Sequence, residues 1–517
     1  MKLPHLFAAI FCVAPLFAAP PAVTTLTPAG GQRGTTVTVS AVGSFDTWPV
    51  KVWCGTPGVT AAAEKEKGKF AVKLTADAPL GLTWLRFHDD TGASELRPFV
   101  VGGLAETTES EPNDDAKAAP TVNAPTVVNG VLAKSGDVDC FAVKLKKGRT
   151  LIASLDAHRR LRSPIDAVLQ ICSADRTILE ANHDARGLDP ELAYTALADE
   201  TVVVRVFGFP SAPDSSIRHF GSPACVYRLT LSADEFIDFV TPLAVEELKE
   251  STLTPHGWNL KAKTITLGKS DTTVGVALPF PLARPPHHCV DLVGPTDKPL
   301  SPPFTATGYV RKERMPAVVP VSVGAGKPLT VRVESPTLGL SLTPVLKVTD
   351  ADGKQVLKAE PATFGKDIEA AFAPAKAGTC NFEVSDLFGS AGPRHVFKLT
   401  VTPTAPDVTA TVAADRFTLS VGKPLDIPIT VAKKGGFTGE VVPFADGLPD
   451  GVTASVGTPV KGDGNSLVLK LTATRPASGP IRIGVKKMGD DKFQRDATAT
   501  LPAFEVSTSD LWLTVTK

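Results

Sequence analysis

Apolar and polar residues alternate in short runs along the whole chain, and glycine or proline separates one run from the next. Two examples are residues 35–40 (Thr-Thr-Val-Thr-Val-Ser) and residues 226–231 (Val-Tyr-Arg-Leu-Thr-Leu). A period of two places every second side chain on the same face of a strand. Repeated between turn signals, this pattern is typical of β-sandwiches. The chain is therefore predicted to be all-β, built of tandem β-sandwich modules (Ig-like and jelly-roll-like) with little helix.

The length of the chain indicates how many modules to expect. At 517 residues it is too long for one domain, and sandwich domains are often about 100 residues long. The predicted segments after the N-terminus are 22–102, 106–235, 241–302, 303–403 and 406–517. Segment 241–302 is interpreted as either a small Ig-like insert or a β linker.

The N-terminus predicts export. Lys2 precedes an apolar run over residues 6–17, and Ala18-Ala19-Pro20 follows it, which is the pattern of a Sec-type signal peptide over residues 1–19. No later run reaches the roughly 20 apolar residues that a membrane-spanning helix needs, so no transmembrane segment is expected. The formal net charge of +0 gives no support to nucleic-acid binding. The expected location is secreted or periplasmic.

Six cysteines remain after the signal peptide: Cys54, Cys140, Cys172, Cys225, Cys289 and Cys380. An even number in an exported protein permits disulfides, although sequence does not give their connectivity. If Phe141 and Ile171 face the core, Cys140 and Cys172 both face outward, whereas Cys225 shares the parity of Tyr227. Strand parity thus slightly favours a Cys140–Cys172 pair over pairing with Cys225, and isolated thiols are an equal alternative.

One acidic cluster carries most of the candidate chemistry. Residues 109–114 read Glu-Ser-Glu-Pro-Asn-Asp, and residues 136–141 read Gly-Asp-Val-Asp-Cys-Phe before a predicted strand. Residues i and i+2 share a face in extended chain, so Asp137 and Asp139 lie on the side of Phe141. Grouped carboxylates repel each other unless a cation compensates, and Ca²⁺ takes six to eight oxygen ligands. The alternative is a solvated acidic linker with Asn113 and the aspartates in turns.

The ordered motifs from residue 109 to residue 229 resemble the bacterial pre-peptidase C-terminal domain, which accompanies secreted collagenases and other exported peptidases. They are E-x-E-P-N-D, N-G, G-D-x-D-x-F, K-K-G, S-P-x-D-x-x-L and Y-R-L. The resemblance implies a calcium site, with the ligands Glu109, Glu111, Asn113, Asp114, Asp137 and Asp139. Residues 22–102, with Pro28-Ala-Gly30-Gly31 and Gly81-Leu-Thr-Trp-Leu-Arg, resemble the Ig-like IPT/TIG domains.

An internal repeat predicts a second copy of this module at 303–403. Residues 163–179 match residues 340–357, and Tyr227-Arg-Leu-Thr-Leu matches Phe397-Lys-Leu-Thr-Val. The second copy is degenerate, because residues 313–318 (Glu-Arg-Met-Pro-Ala-Val) stand approximately where the first copy has its Gly-Asp-Val-Asp-Cys-Phe run. A metal site is therefore expected in the first copy alone.

No catalytic motif is recognised. The chain has neither a Gly-x-Ser-x-Gly elbow nor a His-Glu-x-x-His run. His287-His288-Cys289 is interpreted as a proline-flanked loop, and His183-Asp184 as a turn.

The favoured hypothesis is a secreted, non-catalytic modular protein for binding, adhesion or structure, with extracellular protein or polysaccharide as its partner. The alternatives are an accessory or targeting subunit of an exported peptidase, or an unrecognised hydrolase.

Overall fold

The computed structural model describes residues 18–212, 218–275, 280–294, 297–363, 365–458 and 466–517. Within them the chain is a series of β-sandwich modules, so the predicted fold class is confirmed. The described helices are α1 (His158–Leu161) and a 3-10 turn (Pro336–Leu338). None is long and apolar enough to cross a membrane. The predicted signal peptide falls largely on residues 1–17, outside the described residues.

The N-terminal module (residues 22–102) follows one path of eight hydrogen-bonded strands around a core that includes Phe70, Phe87 and Phe99. Its strands are β1 (Ala22–Thr27), β2 (Gly30–Gln32), β3 (Thr36–Ser44), β4 (Lys51–Trp53), β5 (Val59–Ala63), β6 (Lys69–Leu74), β7 (Gly81–His88) and β8 (Arg97–Gly102).

Module A (residues 106–232) is a sandwich of two sheets, in the orders β15-β12-β17-β10-β9 and β11-β16-β13-β14. Phe141, Leu169 and Leu229 are among the residues of the core between them. The strands are β9 (Glu106–Thr108), β10 (Thr126–Val131), β11 (Asp139–Leu145), β12 (Thr150–Asp156), β13 (Ile165–Cys172), β14 (Ile178–Asn182), β15 (Glu191–Thr195), β16 (Glu200–Pro210) and β17 (Val226–Ser232).

A connector over residues 236–282 follows, with a three-stranded sheet and a two-stranded ladder. Its strands are β18 (Phe236–Thr241), β19 (Ser251–Trp258), β20 (Ile265–Leu267), β21 (Thr273–Val274) and β22 (Phe280–Pro281). Leu340 and Val396 of the next module complete its small core. The two interpretations of segment 241–302, a small Ig-like insert or a β linker, both stay predictions.

Module B (residues 288–403) repeats module A strand for strand, with sheets in the orders β29-β26-β31-β24-β23 and β25-β30-β27-β28. The strands are β23 (His288–Asp291), β24 (Phe304–Tyr309), β25 (Ala317–Val323), β26 (Leu329–Glu334), β27 (Pro344–Thr349), β28 (Gln355–Ala359), β29 (Ile368–Phe372), β30 (Gly378–Asp386) and β31 (Val396–Pro403). Because β23 pairs with β24 just as β9 pairs with β10, this module begins upstream of residue 303.

The register of the repeat differs by one residue from the sequence match. Asp139 opens β11 opposite Val206, and Ala317 opens β25 opposite Val384. Phe141 therefore corresponds to Val319, not to Val318. A slip of one residue would turn every side chain of the strand to the other face, and Val319 is the one that lies in the core.

The C-terminal module (residues 407–516) has a core that includes Ile429, Ile483 and Leu513. Its strands are β32 (Asp407–Thr411), β33 (Arg416–Ser420), β34 (Leu425–Lys434), β35 (Val441–Asp446), β36 (Val452–Val456), β37 (Ser466–Ala473), β38 (Ala477–Lys487), β39 (Asp490–Leu501), β40 (Val506–Thr508) and β41 (Leu511–Thr516).

All six described cysteines are free thiols, so the slightly favoured Cys140–Cys172 bridge is wrong. The parity argument itself is confirmed, because Phe141 lies in the core and Cys140 on the opposite face. Strand β16 runs between β11 and β13. Two strand spacings amount to about 10 Å, beyond the roughly 7 Å between Cα atoms that a disulfide tolerates.

The first and last modules contact each other through a buried ion pair. Arg86 is 0% exposed, and its Nη2 lies 2.9 Å from Asp415 Oδ2 and 2.8 Å from the carbonyl oxygen of Asp510. Beside it, Phe504 of the C-terminal module packs on Trp84, with ring centroids 5.0 Å apart. The chain thus closes on itself, with its two end modules in contact.

We expect Asp415→Ala to destabilise the protein by about 3 kcal/mol, because it leaves a buried guanidinium without its charged partner. Asp450→Ala is the matched control, since Asp450 is 91% exposed in its pair with Arg475, and exposed pairs contribute about 0–1 kcal/mol. Denaturant unfolding of both variants measures the difference. Equal losses would show that the Arg86 pair contributes no more than a surface pair.

Candidate metal centre

The linker that enters module A lies against the start of β11. Strand β9 pairs in parallel with β10, and the Glu109 N–H then donates to the Asn129 carbonyl at 2.9 Å. Further on, the Cys140 N–H donates to the Asn113 carbonyl at 3.1 Å. These two backbone hydrogen bonds hold residues 109–113 over the edge of the sandwich where β11 begins.

Asp137 and Asp139 are the most deeply buried acids of the cluster, each 0% exposed. They share the core side of the chain with Phe141, as the strand period predicts. The carboxylates of Glu111, Asp137 and Asp139 each place one oxygen within 4.8 Å of the others. Glu111 is exposed, so the group opens to solvent on its side.

Three oxygens at this place are buried and have no hydrogen-bond partner: Asn113 Oδ1, Asp137 Oδ1 and Asp139 Oδ1. The other polar atom of each side chain is held by the protein. Asp137 Oδ2 accepts from the Ala133 N–H, Asp139 Oδ2 accepts from the Tyr227 hydroxyl, and Asn113 Nδ2 donates to Glu109 Oε2. Buried acceptors normally have hydrogen-bond partners. Here the protein fixes the three side chains in place and leaves one oxygen of each without a partner.

Glu109 acts beside this group. Its Oε1 accepts from the Val131 N–H, and its Oε2 accepts from the Asn113 amide. Glu109 Oε2 also lies 2.9 Å from the Tyr227 hydroxyl and shares the single proton of that hydroxyl with Asp139. Both oxygens are therefore engaged, and Glu109 fixes the orientation of Asn113 and Tyr227.

Asp114 is not among the carboxylates that lie within 4.8 Å of one another, although it is near enough to Glu111 to raise the pKa of Glu111. Asp114 is exposed, its Oδ1 accepts from the Val138 N–H at 3.3 Å, and it lines a surface cavity with Arg176 and Arg205. Of the six ligands that the resemblance implies, the structure brings together Glu111, Asp137 and Asp139, and it leaves an oxygen of Asn113 without a partner.

Burial, together with the neighbouring Glu109 and Asp137 carboxylates, raises the pKa of Asp139 to about 9, against the Tyr227 hydroxyl, which lowers it. Partial loss of hydration also raises the pKa of the exposed Glu111, in part opposed by the Asn113 N–H. The pKa of Tyr227 is raised for the same reasons, first burial and then Asp139 and Glu109. Without a cation, then, Asp139, Glu111 and Tyr227 resist ionisation.

Tyr227 belongs to the Y-R-L motif, but the sequence did not assign it to the metal site. The repeat contained the signal, because module B has Phe397 at the same place opposite a glycine. By the same correspondence, Ala317 stands where module A has Asp139. Leu292 stands where module A has Glu109, because the Leu292 N–H donates to the Thr307 carbonyl just as the Glu109 N–H donates to the Asn129 carbonyl. Module B thus replaces the acids and the hydroxyl together.

The other candidates of the sequence do not form a comparable group. His287 Nε2 contacts Thr305 Oγ1 at 2.9 Å, and His288 Nδ1 contacts Glu246 at 3.0 Å, so the two rings have different partners. His183 pairs with Asp184 at 2.6 Å, both exposed. Asp166, His183 and Asp184 do place one ligand atom each within 4.8 Å of the others, and the buried Asp166 Oδ1 has no hydrogen-bond partner, but His183 and Asp184 are exposed, so this group has no fully buried acid.

No family model and no curated protein matches the chain. Solved structures with some similarity include the pre-peptidase C-terminal domain of a collagenase from Bacillus anthracis. The match has 13% sequence identity, covers 24% of this chain and 100% of that domain, and has a TM-score of 0.18. Domains 4 and 5 of the S-layer protein SbsC show 13% identity over 36% of this chain and 98% of theirs, with a TM-score of 0.15.

The fibronectin(III)-like modules of Clostridium thermocellum CbhA show 13% identity over 40% of this chain and 90% of theirs, with a TM-score of 0.13. TM-scores of this size assign neither a family nor a function. The resemblances to the pre-peptidase C-terminal and IPT/TIG families therefore stay predictions.

In chelator, we expect the stability of the protein to fall as pH rises. The raised pKa of Asp139 means that the folded state keeps a proton that the unfolded state releases near pH 3.9. The stability that this proton contributes is complete below about pH 3.9 and is lost progressively as the pH rises towards about 9. Asp139→Asn removes this titration, so melting temperatures of the variant should decline less between about pH 5 and pH 9. Parallel profiles for the two proteins would contradict the assignment.

Proposed function

We propose that module A holds a structural Ca²⁺ ion in a secreted, non-catalytic modular protein that binds extracellular protein or polysaccharide. The observation that carries the calcium assignment is the set of three oriented, buried oxygens without partners, on Asn113, Asp137 and Asp139, beside the carboxylate of Glu111.

The chemistry of the donors selects the ion. Carboxylate and amide oxygens suit hard cations, whereas zinc sites use nitrogen or sulfur ligands for the most part. Mg²⁺ demands near-ideal octahedral geometry, and Ca²⁺ accepts irregular sets of oxygens. A donor set shared between a linker and the start of a strand is irregular in this sense. Glu111, Asn113, Asp137 and Asp139 would hold the ion, and Glu109 and Tyr227 would orient them.

Charge balance favours a cation as well. Arginines near this linker pair with other acids, Arg176 with Asp115 and Arg228 with Glu106. Among the described residues, no ion pair engages the carboxylates of Glu109, Glu111, Asp137 or Asp139. An ion would offset their mutual repulsion and the cost of burying them.

A structural role for the ion follows from its surroundings. Asp137 and Asp139 are completely buried, so only the Glu111 side is open to solvent. The ion would tie the linker to the body of module A. Module B, with Leu292, Ala317 and Phe397 at the matching places, keeps the sandwich with apolar side chains instead.

We expect millimolar Ca²⁺ to raise the melting temperature of the full chain over the value in chelator. A ligand at 100 times its dissociation constant adds about 2.7 kcal/mol to stability. Asp137→Asn combined with Asp139→Asn should abolish this rise. The control is Asp350→Asn with Asp352→Asn, which alters an acidic pair of the same spacing on a module B turn. Equal melting of the wild-type protein in calcium and in chelator would reject the calcium site.

The partner class needs its own test. We expect the exported protein to be retained by insoluble polysaccharide or by protein fibres such as collagen, without release of soluble fragments. Retention by neither material would contradict a binding role of this kind. Release of fragments from either one would contradict the absence of catalysis and favour the hydrolase alternative.

A further inference from the structure

Two neighbouring residues of β17 hold the same linker at two points, Glu109 and Glu106, that are three residues apart. The Tyr227 hydroxyl lies 2.9 Å from Glu109 Oε2, beside the metal centre. Arg228 points to the other side of the sheet, where Nη1 and Nη2 each donate to a Glu106 oxygen at 2.7 Å. Asn129 joins this pair, since its Oδ1 accepts from Arg228 at 2.9 Å and its Nδ2 donates to Glu106 at 2.9 Å. We call Glu106, Asn129 and Arg228 the linker clamp.

The linker clamp lies directly against the N-terminal module. A Cβ atom on Gly30 would come within 2.0 Å of Arg228 Nη1, and one on Gly102 within 2.5 Å of Glu106 Oε1. Arg228 and Glu106 are nearly buried there, with side chains 4% and 8% exposed. An apolar contact flanks them, in which Ala29 and Val100 of the N-terminal module pack with Leu161 and Val226 of module A.

Module B shows that the sandwich itself does not require the linker clamp. By strand pairing, Cys289, Thr307 and Lys398 occupy the places of Glu106, Asn129 and Arg228. Lys398 pairs instead with Glu334 at 3.0 Å. The linker clamp and the acids of the metal centre are thus present together in module A and absent together from module B.

We propose that the linker clamp couples calcium binding in module A to docking of the N-terminal module, an inference that rests on the proposed calcium site. Glu111 and Asn113 reach the ion only if the linker keeps its path, and that path starts at Glu106. Docking closes the space around Glu106 and Arg228 and so fixes the linker before the ion binds. Linkage is reciprocal: the ion strengthens docking by the same factor by which docking strengthens binding of the ion.

The decisive variant lies outside module A. Gly102→Ala adds one methyl group in the N-terminal module, at a residue that is not among the positive-φ glycines, and the group nearest to it is the flexible end of Glu106. We expect it to weaken Ca²⁺ binding to the full chain about tenfold, the lower end of what loss of a group that supports a metal ligand costs. Gly294→Ala is the control, because a Cβ there meets nothing within 4 Å.

Calorimetric titration of the three full-length proteins with Ca²⁺ separates the outcomes. A wild-type protein that binds no calcium would reject the proposed function. Wild-type and Gly102→Ala proteins that bind calcium with equal affinity would leave the site standing and overturn the coupling.

A second measurement covers the case in which Gly102→Ala unfolds its own module. Hydrogen exchange of the wild-type amides in β2 and β8, measured with Ca²⁺ and with chelator, tests the reverse effect, that of Ca²⁺ binding on the N-terminal module. We expect slower exchange with Ca²⁺ in these strands of the N-terminal module. Unchanged exchange there, with protection confined to module A, would overturn the proposal.

Discussion

The buried carboxylates of Asp137 and Asp139 impose the constraint to which the rest of module A is fitted. An ionised carboxylate without a partner is costly to bury, and here two lie at the entrance of one strand with a third from the linker. The protein supplies donors for one oxygen of each aspartate, the Ala133 amide and the Tyr227 hydroxyl. The Oδ1 atom of each aspartate is buried without a partner, which is stable only with a proton or a cation nearby.

The repeat shows how one sandwich can exist with and without this constraint. Modules A and B have the same strand order in both sheets. Where module A has Glu109, Asp139 and Tyr227, module B has Leu292, Ala317 and Phe397. The polar group is therefore not a requirement of the fold. It converts an apolar corner into a site where a ligand can contribute stability and fix the path of the linker.

The modules do not form an extended row. The Arg86–Asp415 ion pair joins the first module to the last, and Phe504 of the last module packs on Trp84 of the first. The next residue, Glu505, pairs with Arg162 of module A and Lys366 of module B, each at 3.3 Å. The loop that holds Phe504 and Glu505 thus touches three other modules. A chain closed in this way presents fixed surfaces, whereas a simple spacer would keep its ends apart.

The sequence by itself determined the all-β class, the repeat and the side of the strand on which Asp137 and Asp139 lie, because a period of two and turn residues are local properties of the chain. It did not determine the one-residue register of β25, the role of Tyr227 or which acids come within 4.8 Å of one another. Those depend on which strands become neighbours. The same holds for the thiols: parity placed Cys140 and Cys172 on one face, but only the sheet order put β16 between them. Arg86 with Asp415, and Glu106 with Arg228, join residues far apart in sequence, and packing of whole modules alone decides such pairs.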